Sequence, residues 1–280
     1  MLGGSASFVC NDTMVKLLGA NMPAGEIMLV RGIPSVGLLL AAALWLNALR
    51  LPWNILVSPA FALRLLGEMG ATITFILSLP HLRLADTTGI QQFQPLAITA
   101  ASALFLAEPV GWRRWMAALA GLIGVLLIVK PGTGAFEPYA LLSACCVLFV
   151  ALRDLATRAV KPGVKPVALA FASAAATMAC GLVLAPFETW STPSTTQYLG
   201  LLLNALFLIG GYVLVTISVR ITDLSVVAPF RYASVLFAVL SQFLIWNVLP
   251  DRLALVGIAI VVGAGLYTFH REQVRLAGRN

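Results

Sequence analysis

The sequence predicts an all-α membrane protein with ten transmembrane helices, arranged as two inverted five-helix repeats around a central cavity. Composition is the first observation behind this prediction: of 280 residues, 60% are hydrophobic and only 10% are charged. Soluble domains carry roughly 25% charged residues, because a surface in contact with water has to be solvated. The second observation is the recurrence, along the whole chain, of apolar runs of about 20 residues, the length needed to cross a bilayer.

Apolar length, the positions of glycine and proline, and charge together define the ten predicted spans. The first half contains spans at 2–18, 26–48, 58–79, 86–107 and 112–130. The second half contains spans at 138–159, 166–187, 197–218, 223–248 and 251–270. The turn Pro131-Gly132-Thr133-Gly134 separates the two sets, so the halves are predicted to cover residues 1–134 and 135–280.

Lysine and arginine are distributed unequally between the two sides of the predicted membrane. Placing the C-terminus in the cytoplasm collects most of them on that side, at Arg50, Arg64, Arg113, Arg114, Arg158, Lys161, Lys165 and Arg220. The opposite side receives Lys16, Arg31, Arg83, Lys130 and Arg252. This positive-inside bias predicts that both termini are cytoplasmic. Topology thereby explains the net charge of +7, and we predict no binding of nucleic acid.

The two halves share short motifs. An aspartate followed four residues later by a basic residue occurs in the first span (11–16) and in the sixth (153–158). The pattern Arg-x-x-Asp precedes the fourth span (83–86) and the ninth (220–223). Because five spans per half is an odd number, the second half must insert upside down relative to the first. Inverted repeats are a recurring plan of secondary transporters, whose site lies near the midplane of the membrane between the repeats.

The last helix of each half is rich in glycine, with Gly121 and Gly124 in the fifth span, which ends in Val129-Lys130-Pro131-Gly132. Together with the ten spans and the shared motifs, this resembles the drug/metabolite transporter (DMT) superfamily and its EamA-type branch over essentially the whole chain. Within that branch the sequence is most similar to the bacterial YddG-type exporters of aromatic amino acids. The resemblance implies a multi-pass carrier of the bacterial inner membrane that exports amino acids or related metabolites. It also implies that the fifth and tenth spans are peripheral, whereas the other helices enclose the cavity.

Two charged side chains lie deep in predicted spans. Glu68 is about ten residues into the third span, roughly 15 Å deep, and Arg231 is about eight residues into the ninth, roughly 12 Å deep. A charge at such depth is costly unless it is paired or faces water. We therefore predict that both face the cavity, with Arg231 attracting a carboxylate and Glu68 an ammonium group or a coupling proton. The alternative for each is a structural ion pair or a hydrogen bond between helices.

Three uncharged side chains complete the predicted substrate site. Gln91 and Gln94 share one face of the fourth span by i,i+3 spacing, and Gln94 is the repeat counterpart of Arg231. An amide can bind a zwitterion without the desolvation cost of a full charge, but hydrogen bonding between helices explains such residues equally well. Tyr232 is predicted to line the cavity because it neighbours Arg231.

Four further residues are candidates for a gate or a hinge. Asp12 and Asp154 each have a basic residue four positions later, which predicts intrahelical ion pairs. Their mirror-related positions make them gate candidates, with a packing or topological role as the alternative. Pro95 and Pro229 each remove a backbone hydrogen bond within a predicted helix, which permits a bend.

The predicted mechanism is alternating access by a secondary transporter. No G-x-x-x-x-G-K-[ST] motif is present for ATP, so the driving force must be the solute gradient, protons or an exchanged ion. No HExxH or G-x-S-x-G motif supports an intramembrane enzyme, which is a minor alternative together with a channel. The four cysteines lie in apolar segments without metal-ligand spacing, and we predict neither a metal nor a cofactor. The predicted partners are the lipid bilayer and a small-molecule substrate, an amino acid or a related metabolite.

Overall fold

Helix is the only regular secondary structure in the described part of the chain. The computed structural model describes residues 1–47, 53–105, 112–130, 137–159, 164–190, 192–221, 230 and 232–277. The helices are α1 (Leu2–Leu18), α2 (Ala24–Trp45), α3 (Trp53–Leu56), α4 (Pro59–Ser78), α5 (Leu84–Gln91), α6 (Gln94–Phe105), α7 (Trp112–Val129), α8 (Pro138–Ala159), α9 (Pro166–Leu184), α10 (Thr195–Ile221), α11 (Ala233–Trp246) and α12 (Arg252–Ala277). A 3₁₀ turn, Ala185–Phe187, extends α9.

Many of these helices have the length and composition of membrane spans. Five of them, α2, α4, α8, α9 and α12, are long and apolar enough to cross a bilayer, and α7, α10 and α11 contain shorter apolar stretches. Large hydrophobic side chains point out of the bundle, including Leu104, Leu148, Leu236 and Leu244, each at least 65% exposed. Lipid matches such a surface, whereas soluble proteins rarely expose large apolar patches. These are the features of a multi-pass α-helical membrane protein.

The fourth predicted span, 86–107, is wrong as a single helix. The structure divides it into α5 and α6, with a turn at Gln92-Phe93 between them. The physical reason is Pro95, which has no N–H to donate and whose ring would collide with the carbonyl of Gln91 in a continuous helix. The break places Pro95 in the first turn of α6, where proline is tolerated.

The other predicted bounds differ by a few residues, except where the chain is outside the described residues. The spans 2–18 and 138–159 coincide with α1 and α8, while α12 continues past the predicted end at 270 to Ala277. The predicted start of the ninth span at 223 lies outside the described residues, and α11 begins at Ala233. The expected accuracy of such boundaries is about two residues at each end.

Helix packing joins the first half of the chain to the second. The most extensive helix contacts are α1 with α10, α2 with α9, α4 with α8, and α7 with α12. Two of these pairs touch through facing glycines. A Cβ atom at Gly181 would lie 2.6 Å from the carbonyl oxygen of Gly25, and one at Gly257 would lie 2.5 Å from that of Gly124. Small residues of this kind allow membrane helices to approach backbone to backbone.

An ion-pair network connects the end of α7 to the beginnings of α5 and α12. We call it the Asp251 network. Arg83 contacts Asp251 at 2.7 Å and Asp86 at 2.5 Å, and Lys130 donates to the same Asp251 oxygen. Burial acts to raise the pKa of Asp251, but hydrogen bonds from Lys130 and Arg83 outweigh it and hold that pKa well below its ordinary value. The network therefore fastens three helices at one end of the bundle.

Candidate functional site

Polar side chains from five helices face one region inside the bundle. Cys146 on α8 is buried there, and its thiol donates to Oε1 of Gln91 at 3.8 Å. Thr74 on α4 lies beside this thiol, and its hydroxyl donates to the backbone carbonyl of Gly70 at 2.7 Å. Arg153 and Asp12 both act on Cys146 electrostatically, and Asp12 in turn interacts electrostatically with Arg31. We call this region the polar interior. Its members are Asp12, Arg31, Thr74, Gln91, Cys146 and Arg153.

The two glutamines of the predicted site are adjacent and already hydrogen bonded. Nε2 of Gln91 donates to the backbone carbonyl of Ser143 at 3.2 Å and to its hydroxyl at 3.4 Å. Nε2 of Gln94 donates to Oε1 of Gln91 at 2.5 Å. Gln91 therefore fastens α5 to α8 at the edge of the polar interior, which is the interhelical role that the sequence left open. Gln94 extends the same amide row onto α6.

Glu68 lies between two guanidinium groups. Its carboxylate is 3.8 Å from Arg64 on the same helix and 3.6 Å from Arg153 on α8. Arg64 also donates to Ser173 on α9 at 3.0 Å, and Arg153 donates to Asp154 at 2.8 Å. We call Arg64, Glu68, Arg153 and Asp154 the charge cluster. Its contacts are those of the structural ion pair that the sequence offered as the alternative for Glu68, and they connect α4, α8 and α9.

Asp12 does not form the predicted ion pair with Lys16, and that prediction is wrong. Lys16 turns away because unsatisfied carbonyls at the end of α4 accept from its ammonium group: Leu79 at 3.2 Å and also Leu82. The carboxylate of Asp12 instead accepts from Nδ2 of Asn11 at 3.0 Å. For Asp154, the recorded partner is the preceding Arg153; the side chain of Arg158 lies outside the described residues.

An amide on α10 orients the residue beside Asp12. Nδ2 of Asn204 donates to both the backbone carbonyl and the side-chain oxygen of Asn11, each at 2.8 Å. Asn204 has no exposed surface, and Asn11 is only 5% exposed. With its oxygen occupied, the side-chain amide of Asn11 has its N–H groups directed to Asp12. The three residues form a hydrogen-bonded relay from α10 to the polar interior.

The remaining predicted site residues are placed as follows. Arg231 and Pro229 lie outside the described residues. Tyr232 precedes α11, and its hydroxyl comes up against Gly265 of α12, so its ring lies at the contact with α12. Pro95 follows the turn that interrupts the fourth span. Gln92 in this turn donates a 2.7 Å hydrogen bond to Ser234 on α11. The structure thus places Gln91, Gln94, Glu68 and Asp12 in or near the polar interior, whereas Tyr232 lies against α12.

Several members of this region were missed by the sequence reasoning. Arg31 was counted as a charge of the outer side, although it lies seven residues into α2, about 10 Å from its start by helical rise. The rule for charges inside spans, applied to every arginine, would have found Arg31 and Arg64. Asn204 carried a weaker signal, an amide in the middle of the apolar run Thr195–Gly211. Nothing in the sequence distinguished Thr74 or Cys146.

A separate cavity of about 520 Å³ lies between α7 and α12. Its walls are mostly apolar, with Arg113 as the charged residue at the rim. None of the residues of the polar interior lines it. Such a lipid-facing groove offers no set of converging polar groups for a solute, so we do not assign the site to it.

Known proteins resemble this chain over most of its length. Residues 138–269 match the EamA-like transporter family. The S-adenosylmethionine uptake transporter of Rickettsia prowazekii is 25% identical over 277 residues, covering 96% of this chain and 91% of that protein. The pseudopaline exporter of Pseudomonas aeruginosa is 28% identical over 270 residues, covering 93% and 91%. The riboflavin transporter of Vibrio cholerae is 28% identical over 175 residues, covering 60% and 56%.

A solved crystal structure shares the fold, with a TM-score of 0.62 and 20% identity over 94% of this chain and 93% of that one. The family match covers the second half of the chain, and the relatives bear the names of transporters of small molecules. The finer similarity to YddG-type exporters of aromatic amino acids finds no support in these names, which concern S-adenosylmethionine, pseudopaline and riboflavin.

Proposed function

We propose that this protein is a secondary transporter that carries a small zwitterionic metabolite, an amino acid or a larger compound containing one, through the polar interior by alternating access. The observation that carries the proposal is the alignment of more than nine-tenths of the chain with transporters of small molecules. The organisms of these relatives favour the bacterial inner membrane as its location. The names of these relatives include both uptake and export, so they do not indicate a direction of transport. Export is proposed here only because the sequence resembles a family of exporters.

The proposed architecture is ten spans in two inverted repeats, 1–134 and 135–280, with both termini in the cytoplasm. Helix packing supports it. Exchanging the halves replaces α1, α2, α4 and α7 by α8, α9, α10 and α12. This exchange converts the α1–α10 contact into the α4–α8 contact, and it converts α2–α9 and α7–α12 into themselves. A packing pattern that survives the exchange is expected when the halves are related by a two-fold axis in the membrane plane.

The solute class rests on the balance of charge around the polar interior. Asp12 and Glu68 contribute negative charge, while Arg31 and Arg153 contribute positive charge. Charges of both signs around the polar interior favour a solute that also carries both signs, because each end of such a solute is attracted by a group of opposite charge. We propose Gln91, Gln94 and Glu68 as residues near the solute path. Arg231 and Tyr232 are proposed contacts on sequence grounds, and an Arg231→Ala protein that folds and transports normally would contradict the first.

The charge cluster is the proposed gate, and the break in the fourth span is the proposed hinge. Arg153 joins α8 to α4 through Glu68 and also pairs with Asp154 on its own helix, and none of these three side chains is fully buried. Water can reach such ions, so their separation is less costly than it would be in lipid. Pro95 at the start of α6 provides the bend, and Pro229 is its proposed counterpart in the second half.

Transport is tested by reconstituting the purified protein into liposomes. Uptake of radiolabelled tryptophan, phenylalanine, threonine, S-adenosylmethionine and riboflavin is measured with and without a proton gradient, against liposomes that lack protein. We expect saturable uptake of at least one compound that carries an ammonium group, and counterflow when unlabelled compound is loaded inside. Saturable uptake with counterflow identifies a carrier, whereas flux that rises linearly with concentration would indicate a channel. Absence of uptake of all five compounds by folded protein would overturn the proposal.

A further inference from the structure

We infer that the carboxylate of Asp12 binds the positively charged group of the solute, and that Asn204 positions this carboxylate through Asn11. The inference rests on the proposed transport function and names the residue that binds the positively charged group of the solute. It assigns to Asp12 a role that the sequence reasoning had given to Glu68, and it identifies a positioning residue on a different helix, α10.

The first step is the geometry of the relay. Asn204 offers two hydrogen bonds to Asn11, and Asn11 offers one to Oδ1 of Asp12, with all three donor–acceptor distances between 2.8 and 3.0 Å. Both amides are buried, whereas Asp12 keeps part of its surface accessible. Among the described residues Oδ1 of Asn204 has no hydrogen-bond partner, but its Nδ2 is bonded twice to Asn11, and these two bonds fix the orientation of the Asn11 side chain. Oδ1 of Asp12 is therefore held by the amide of Asn11, while part of the Asp12 side chain remains accessible.

The second step is the state of the Asp12 carboxylate. Oδ2 accepts no hydrogen bond from any described residue, and it is not sealed from solvent. A carboxylate at this depth needs a cation or water as a partner. Arg31 on α2 acts on it electrostatically, and Asn11 supplies a neutral donor. An ammonium group that entered the polar interior would satisfy Oδ2 directly.

The third step compares Asp12 with Glu68. Two guanidinium groups already lie within 4.0 Å of the Glu68 carboxylate, so a solute cation arriving there would be repelled by Arg64 and Arg153. Asp12 has an amide as its hydrogen-bonded neighbour, and one guanidinium group, that of Arg31, acts on it instead of two. Arg31 then provides a positive charge in the same region for the negative end of a zwitterion. Charge repulsion and the free acceptor both favour Asp12 as the cation site.

The test uses the Asp12→Asn protein and the same five compounds in proteoliposomes. Tryptophan, phenylalanine, threonine and S-adenosylmethionine each carry an ammonium group, whereas riboflavin carries no positive charge. For each ammonium compound that the wild-type protein takes up, we expect Asp12→Asn to raise KM about tenfold or more, the range expected for a lost charge-assisted hydrogen bond. Asn204→Ser should raise the same KM by a smaller factor, while Asp12→Glu should recover part of the lost affinity.

A matched control is Glu137→Gln, which removes one carboxylate from an exposed position before α8 and should leave KM unchanged. Folding of every variant is checked by its elution volume and unfolding temperature in detergent. Unchanged KM for an ammonium compound in Asp12→Asn would overturn the inference, and so would wild-type uptake of riboflavin alone. The first result leaves the proposed transport function standing, whereas uptake of riboflavin alone would leave transport standing but overturn the proposed zwitterionic solute. Absence of uptake of every compound would instead overturn that function, and this inference with it.

Discussion

Two helix crossings in this molecule have the same architecture and opposite chemistry. Where α1 crosses α10, one polar contact is between the side chains of Asn11 and Asn204, both buried and uncharged. Where α4 crosses α8, it is between Glu68 and Arg153, whose side chains are 22% and 29% exposed. Arg153 follows Asn11 by 142 residues and Asn204 follows Glu68 by 136, close to the offsets of the shared motifs. The two contacts are therefore candidates for equivalent positions in the two proposed repeats.

The difference indicates which crossing can open. Separating the helices would break both hydrogen bonds from Nδ2 of Asn204 to Asn11 in this buried interface, which costs about 1–3 kcal/mol per buried group left without a partner. We infer that the partly exposed ions of the α4–α8 crossing face the water of the proposed pathway, where separated ions exchange one favourable partner for another and a pair contributes only about 0–1 kcal/mol. We expect the α1–α10 crossing to remain closed during transport and the α4–α8 crossing to change. Equivalent positions would then have diverged, one into a fixed support and one into a gate.

The largest effect is expected from Asn204→Leu. This change removes the donor to Asn11 and leaves a buried carbonyl unsatisfied, which should reduce the free energy of unfolding by about 1–3 kcal/mol. The unfolding temperature in detergent measures it. Leu206→Ala, a change at an exposed apolar position on the same helix, is the control and should have little effect. Equal losses in the two variants would contradict a special role for the amide contact.

The next effect concerns the closeness of the α4–α8 crossing. A Cβ atom at Gly67 would lie 2.7 Å from the backbone nitrogen of Arg153, so Gly67→Ala forces the two helices apart. Overpacking of this kind costs about 1–3 kcal/mol, and we expect a lower unfolding temperature together with slower transport. Gly37→Ala, where a Cβ would meet no atom within 4 Å, is the control. Normal transport by Gly67→Ala would show that this crossing need not be tight.

A smaller effect is the salt dependence of stability, which should distinguish the charged contact between Glu68 and Arg153 from the amide contact between Asn11 and Asn204. Glu68→Gln removes the carboxylate between Arg64 and Arg153, and it should lower the unfolding temperature modestly at low ionic strength. Raising the salt concentration should shrink this difference, because partly exposed ions are screened over about 10 Å at 0.1 M. The loss in Asn204→Leu should not respond to salt. A salt-independent loss in Glu68→Gln would mean that this contact is as dry as the amide contact.

The smallest effect uses the Asp251 network as a charged reference outside the bilayer. The pKa of Asp251 is lowered in the folded protein, so its stabilising contribution is present above its unfolded pKa of about 3.9 and is lost as pH falls through the lower folded value. Asp251→Asn should therefore lower the unfolding temperature near pH 6, and the difference from wild type should narrow as the pH falls below about 4. A difference that widened with acid would contradict the sign of the shift.

Hydrophobic length and charge asymmetry were sufficient to predict the helical membrane class and the bounds of α1 and α8. They failed at the fourth span, because the length of an apolar run does not show whether a proline inside it bends the helix or interrupts it. They failed at Lys16 as well, since an i,i+4 rule sees only its own helix, and the carbonyls of Leu79 and Leu82 come from another. Contacts between helices depend on the rotation of each helix about its axis and on its tilt, and neither can be predicted from hydrophobic length or charge in a single sequence.

The candidate site was predicted only in part for the same reason. Depth in a span found Glu68, but its two arginine partners became known only when α4 and α8 were seen together. Asn204 and Arg31 became informative through their neighbours, Asn11 and Asp12. Residue type indicates which chemistry is available, whereas three-dimensional packing decides which groups are still open to a ligand.

The interruption between α5 and α6 has a mechanical consequence. A continuous helix transmits a tilt from one face of the membrane to the other, but two short rods joined by a turn do not. The α5 rod is held at one end by the Asp251 network and by the bond from Leu84 N–H to Gln242. We therefore expect α6 to tilt independently of α5. In the proposed alternating-access cycle the two ends of this span would move separately, so that one mouth of the pathway would widen while the other stays shut.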